Sequence, residues 1–180
     1  MDNIGTSTTT KIINSVGGYG PVFLFFLSIF LLYSRTKTKN LLWIYIFASF
    51  LNVLVNIILK LVIQQPRPMG ENERKVFEMA KNRGKIFPFN TYGMPSGHAQ
   101  YSLFSLFFIA FTLQSPSITL FYLVITFLTM YQRVEFKYHT VLQVIVGAFI
   151  GASIGYATYL YSRKCIAGKI NKKEDDNAFI

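Results

Sequence analysis

The sequence predicts an all-α fold, a polytopic membrane bundle of about five transmembrane helices, and three observations carry the prediction. Five apolar runs approach or exceed the roughly 20 residues that a helix needs to cross a bilayer. Only 14% of the 180 residues are charged, while Phe numbers 18 and Tyr 11. The charges also gather between the apolar runs instead of interrupting them. Inside a bilayer the backbone must satisfy its own hydrogen bonds, and five runs of this kind cannot close a barrel, so they are helices.

Taken in order, residues 1–20 are rich in Ser, Thr and Gly and lack the basic-then-apolar build of a signal peptide. They read as a short arm ahead of a bundle domain at residues 21–162, with a charged tail at 163–180. The spans fall at about 21–33, with a start as early as Val16, then 41–63, 98–113, 118–131 and 140–161. Several are near 16 residues and call for tilt or local thinning of the bilayer. In the second span Asn52, Asn56 and Lys60 recur every four residues and share one face, which points them into the bundle. Gly147, Gly151 and Gly155 form a small-residue stripe in the fifth, a close-packing face without chemistry. Between the second and third spans, residues 71–83 read as a charged amphipathic helix closed by Gly84. It is either a foot over the site or a solvated connector.

The net charge of +10 invites a nucleic-acid reading, but the cations are spread over juxtamembrane loops and the tail, so no nucleic-acid partner is expected. Arg35, Lys37, Lys39, Arg163, Lys164, Lys169, Lys172 and Lys173 flank one membrane side and place the C-terminus in the cytosol. A single cysteine, Cys165, rules out an intramolecular disulfide, and no carboxylate stands at ligand spacing from a histidine. Neither a metal nor another cofactor is expected.

Three clusters then fall on the same membrane face. They are Lys60, six residues, Arg67-Pro68; Pro95-Ser96-Gly97-His98; and Arg133, five residues, His139, three residues, Gln143. Alone, Lys60 or Arg133 fits a snorkelling anchor, and a single histidine fits a helix cap. Together they describe a phosphate pocket. Arg67 and Arg133 fork onto phosphate oxygens and Lys60 adds a point charge. Ser96, Gly97 and the start of the third helix present amides to an anion. His139 is the candidate nucleophile and His98 the acid and base, with the Gln143 carbonyl accepting the His139 Nδ1–H so that Nε2 attacks.

At these residues the chain resembles the type 2 phosphatidic acid phosphatase (PAP2) superfamily, whose pattern is Lys-x6-Arg-Pro, Pro-Ser-Gly-His and Ser-Arg-x5-His-x3-Asp. The resemblance implies an α-helical bundle and metal-independent hydrolysis through phosphohistidine. Gln132 replaces the serine and Gln143 the aspartate of the third motif. Residues around Tyr92, Ala99, Tyr138 and Val144 resemble the dolichyldiphosphatase-like branch, which accepts glutamine at the orienting position. That branch implies a polyisoprenoid diphosphate substrate and a lumenal active site in the endoplasmic reticulum. A broad phosphatidate phosphatase and a silent headgroup-binding protein are the alternatives. Aspartate at position 143 is expected to preserve or raise activity. The oligomeric state is not legible.

Overall fold

The computed structural model describes residues 8–167. Residues 1–7 of the expected arm and 168–180 of the expected tail lie outside the described residues. Among the described residues six α-helices follow in order: α1 (Thr8–Arg35), α2 (Asn40–Ile63), α3 (Glu71–Asn82), α4 (Gly97–Leu113), α5 (Pro116–Glu135) and α6 (Val141–Ala167). One 3-10 turn, Pro88–Thr91, precedes α4. Helices α1, α2, α5 and α6 are each long and apolar enough to cross a membrane. The fifth expected span is α4, which at 17 residues is shorter than its neighbours.

Helix α4 runs through the middle of the bundle and touches α1, α2, α5 and α6, most extensively α6. Ala99, Phe104, Phe108 and Ile109 are buried along it, and Leu24, Leu32, Leu41, Tyr45 and Tyr122 close around them. Outward-facing Trp43, Phe47, Phe50, Val62 and Phe149 are exposed, the arrangement of a bundle whose solvent is lipid.

The glycine stripe sets the α4–α6 spacing. A Cβ on Gly147 would stand 2.5 Å from the Ser96 carbonyl oxygen, one on Gly155 2.5 Å from that of Phe104, and one on Gly151 would collide with that of Gln100. Any side chain there would push the two backbones apart. Buried polar pairs stitch the same core: Tyr45 with Ser105 at 2.8 Å, Ser28 with Tyr122 at 2.9 Å, and Tyr101 donating to Ser49 at 3.0 Å. In a medium without water each of these groups needs a protein partner.

Helix α1 departs from expectation. It already includes Thr8, well ahead of Pro21, and carries Pro21 in its interior. Proline at 21 looks like a helix start because an interior proline removes a backbone bond. Packing overrides that local preference. Gly17 lies so close to Gln132 of α5, and Gly20 to Thr129, that a Cβ on either would collide. The helix therefore continues past the glycines, because their small size lets α1 lie flat on α5. Helix α3 matches the predicted segment, and Gly84 at φ +67° closes it.

Candidate active site

Helix α2 ends at Ile63 in a left-handed cap at Gln64. Pro66 then pairs with Tyr92 in an isolated antiparallel bridge, and the Gly93 N–H donates to the Gln65 carbonyl at 2.7 Å. The first cluster is thus laced to the strand-like stretch that leads into Pro95–His98. Lys60, buried at 5% exposure, donates from Nζ to the Tyr92 carbonyl at 2.7 Å. Arg67 donates from Nε to the Asn90 carbonyl at 3.0 Å and from Nη1 to the Tyr138 carbonyl at 3.3 Å. Backbone carbonyls hold that guanidinium from two sides.

His139 sits in the turn between α5 and α6. Its Nδ1 is 2.8 Å from the Gly93 carbonyl and 3.2 Å from Gln143 Oε1. Both partners are acceptors, so Nδ1 carries the hydrogen and Nε2 keeps a lone pair, which faces Arg67 Nη1 at 3.3 Å. The closer partner is the Gly93 main chain and not Gln143, a contact that no side-chain pattern reveals. Burial lowers the His139 pKa below its ordinary value, and Arg67, Arg133 and Lys60 lower it further, so the ring is neutral at pH 7. Burial likewise lowers Arg67 from its usual value.

The second cluster opens α4. Ser96 is the residue before the helix, and its N–H donates to the Gln143 carbonyl at 3.0 Å. Asn56 donates from Nδ2 to Gln100 Oε1 at 2.8 Å and lies against Gly97, while Gln100 donates onward to Asn52 Oδ1 at 2.9 Å. The polar face of α2 thus braces the start of α4. His98 donates from Nε2 to the Gly18 carbonyl of α1 at 3.1 Å. Arg133 lies with its guanidinium carbon 4.3 Å from the centre of the Tyr138 ring. Its Nη1 donates to Gln132 Oε1 at 3.3 Å, and Gln132 Nε2 donates to Asn14 Oδ1 at 2.8 Å.

All eight residues singled out in the sequence (Lys60, Arg67, Ser96, Gly97, His98, Arg133, His139, Gln143) therefore meet at one end of the bundle. The contributors that sequence reasoning missed are Gly93, Gln65, Asn14 and Gly18. Six buried side-chain polar atoms among the described residues have no protein partner. Two of them, Ser96 Oγ and Arg133 Nε, belong to this site, while the others (Ser102, Thr112, Thr126 and Thr129) are hydroxyls along α4 and α5. Buried polar atoms without partners are uncommon and mark where another group is to bond. Beside Arg67, a cleft of about 210 Å³ is lined by Pro66, Met69 and Tyr92 and by Glu78 and Lys81 of α3.

Residues 41–167 match the PAP2 superfamily, and the chain belongs to that superfamily. Among curated proteins it is 29% identical over 132 residues to human Dolichyldiphosphatase 1, which covers 64% of this chain and 50% of that protein. Mouse Dolichyldiphosphatase 1 shows the same identity and the same coverage. The Dictyostelium discoideum protein of that name is 33% identical over 116 residues, 58% of this chain and 44% of its own length. The chain spans about half the length of the curated relatives it matches. No solved structure matches it significantly.

Proposed function

We propose that this chain is an integral membrane lipid phosphatase that removes the terminal phosphate of a polyisoprenoid, dolichyl-type, diphosphate through a phosphohistidine. The observation that carries the reading is the pair of unpartnered buried atoms, Ser96 Oγ and Arg133 Nε, in a site that also holds Lys60, Arg67 and a neutral His139. Three cations gathered at one end of the bundle suit a bound phosphate.

In this mechanism the His139 Nε2 lone pair attacks the terminal phosphorus while the bond to the bridging oxygen breaks. His98, entering as the imidazolium with its Nε2–H held by the Gly18 carbonyl, gives its Nδ1 proton to the leaving lipid monophosphate oxygen. It then takes a proton from the water that attacks the phosphohistidine, which frees inorganic phosphate and restores both histidines. Lys60, Arg67, Arg133, the Ser96 hydroxyl and the amides from Gly97 onward stabilise the charge on the equatorial oxygens. Each well-placed donor is worth about 3 kcal/mol in such a transition state. Neither a metal nor another cofactor takes part.

The isoprenoid substrate rests on the names of the relatives and the matching context around Tyr92 and Tyr138. The lipid tail stays among the exposed apolar side chains of the bundle. The basic flanks at Arg35, Lys37, Lys39, Arg163 and Lys164 support a cytosolic C-terminus, and with the relatives' names this reading sets the site on the lumenal side of the endoplasmic reticulum membrane. A second reading, a silent headgroup-binding protein, draws on Gln132, whose amide is turned to Asn14 where the superfamily pattern has a serine.

The deciding experiment measures phosphate release from dolichyl diphosphate and from phosphatidate by the purified chain in detergent with chelator present. Release from the diphosphate, undiminished by chelator, is expected. Faster release from phosphatidate transfers the assignment to a broad lipid phosphatase, and binding without release favours the silent protein. A divalent-ion requirement removes the metal-independent mechanism.

A further inference from the structure

We infer that Gln143 acts as a two-sided clamp, and that Gln65 is a positioning residue which holds the Arg67 loop through it; this rests on the phosphatase reading above. The Gln143 amide orientation is fixed by two main-chain partners whose roles cannot be exchanged. Thr140 N–H donates to Gln143 Oε1 at 3.2 Å, so that atom is oxygen. The Pro66 carbonyl lies 2.9 Å from Nε2, so that atom is the amide nitrogen. With the oxygen side turned to His139 Nδ1, the nitrogen side reaches across to Pro66 and to Gln65 Oε1 at 3.1 Å.

One residue thereby joins all three clusters. Its main-chain carbonyl holds the Ser96 N–H, its side-chain oxygen faces the His139 ring, and its side-chain nitrogen grips the residues immediately before Arg67. Gln65 completes a closed circuit, because its own carbonyl accepts from Gly93 N–H while the Gly93 carbonyl accepts from His139. Gly93 has no room for a side chain, since a Cβ there would lie 2.5 Å from Gln143 Oε1. A carboxylate at 143 offers only acceptors. It would face the Pro66 carbonyl with no hydrogen to share, and only Gln65, by turning its own amide over, could still donate to it, so the Arg67 loop would lose its main-chain tie to the histidine. For Gln143→Asp, which also shortens the side chain by a methylene, the clamp predicts lower activity, the opposite of the expectation from sequence.

The test uses Gln143→Glu, which keeps the volume and removes the donors, and Gln65→Leu, on a half-buried loop, which removes the acceptor. Expected for Gln65→Leu is a roughly tenfold higher KM with kcat changed less, together with a similar loss of tungstate affinity by calorimetry. Gln143→Glu is expected to lose activity at pH 7.5 and to regain it relative to the native protein as pH falls and protonation restores one donor. A purely structural role leaves that ratio independent of pH. Adding Gln65→Leu to Gln143→Glu is expected to cost little more, because the shared bond is already gone. Native activity in Gln143→Glu across pH, or native tungstate affinity and KM in Gln65→Leu, overturns the clamp. Tungstate affinity is read whether or not the native chain releases phosphate, so failure of the phosphatase reading shows separately, as absent turnover by the native protein.

Discussion

The two histidines stand in different kinds of corner. His139 is 2% exposed and is held by the Gly93 carbonyl, Gln143 and Arg67, all within the segment that matches the superfamily. His98 leans instead on Gly18 of α1, a helix that lies ahead of that segment. Arg133 depends on the same helix through Gln132 and Asn14. One half of the site is thus built from interlocked loops, and the other half is completed by a glycine-rich helix laid across it. In the proposed mechanism the attacking nitrogen demands a fixed tautomer, which a main-chain carbonyl supplies without mobility. A proton donor needs only a steady partner that can release it.

The largest effect separates the two corners outright. His139→Ala is expected to reduce phosphate release by about a thousandfold or more, and to form no acid-labile phosphoenzyme. His98→Ala is expected to lose turnover of the lipid diphosphate yet still form phosphoenzyme from p-nitrophenyl phosphate, whose leaving group needs no proton. A phosphoenzyme in the His139 variant would exchange the roles.

A smaller loss is expected on the α1 side. Asn14→Ala removes one hydrogen bond to Gln132 and is expected to raise KM about three- to tenfold, measured on the purified variant. No change would show that Arg133 keeps its place without α1.

The acid limb of stability gives a further test of the His139 corner. An unfolded chain takes a proton on the imidazole of residue 139 near pH 6.5, whereas the folded site, with its pKa lowered by burial and by three cations, resists it. Stability is therefore complete above about pH 6.5 and falls as pH drops below it. The unfolding temperature of His139→Gln is expected to vary less between pH 7.5 and 5.5 than that of the native protein.

The smallest effect lies between two adjacent residues. Gly17 abuts Gln132, whereas a Cβ on Gly18 meets nothing within 4 Å. Gly17→Ala is expected to destabilise by about 1–3 kcal/mol through overpacking. Gly18→Ala keeps the carbonyl that His98 uses and is expected to stabilise α1 by up to about 1 kcal/mol. Thermal unfolding of the two variants reads the difference directly.

Much of this molecule was legible before any coordinates. The spans of α2, α4, α5 and α6 follow from runs of apolar residues, and α3 from its amphipathic pattern and Gly84. Lys60, Arg67, His98, Arg133 and His139 announce themselves because few side chains can carry a charge or a proton next to a bilayer. The start of α1 was not legible, since Pro21 and three nearby glycines argue locally against a helix. Only contact with Gln132 and Thr129 makes Gly17 and Gly20 useful.

By itself the sequence determined the class of the fold and the chemical inventory of the site, because hydropathy and residue type are local properties of the chain. Tertiary structure alone decided which atoms hold which. That the Gly93 carbonyl sets the His139 tautomer, that Gly18 receives His98, and that Gln143 donates toward Pro66 are facts about main-chain groups. Every residue carries those groups, so only their placement in space distinguishes them.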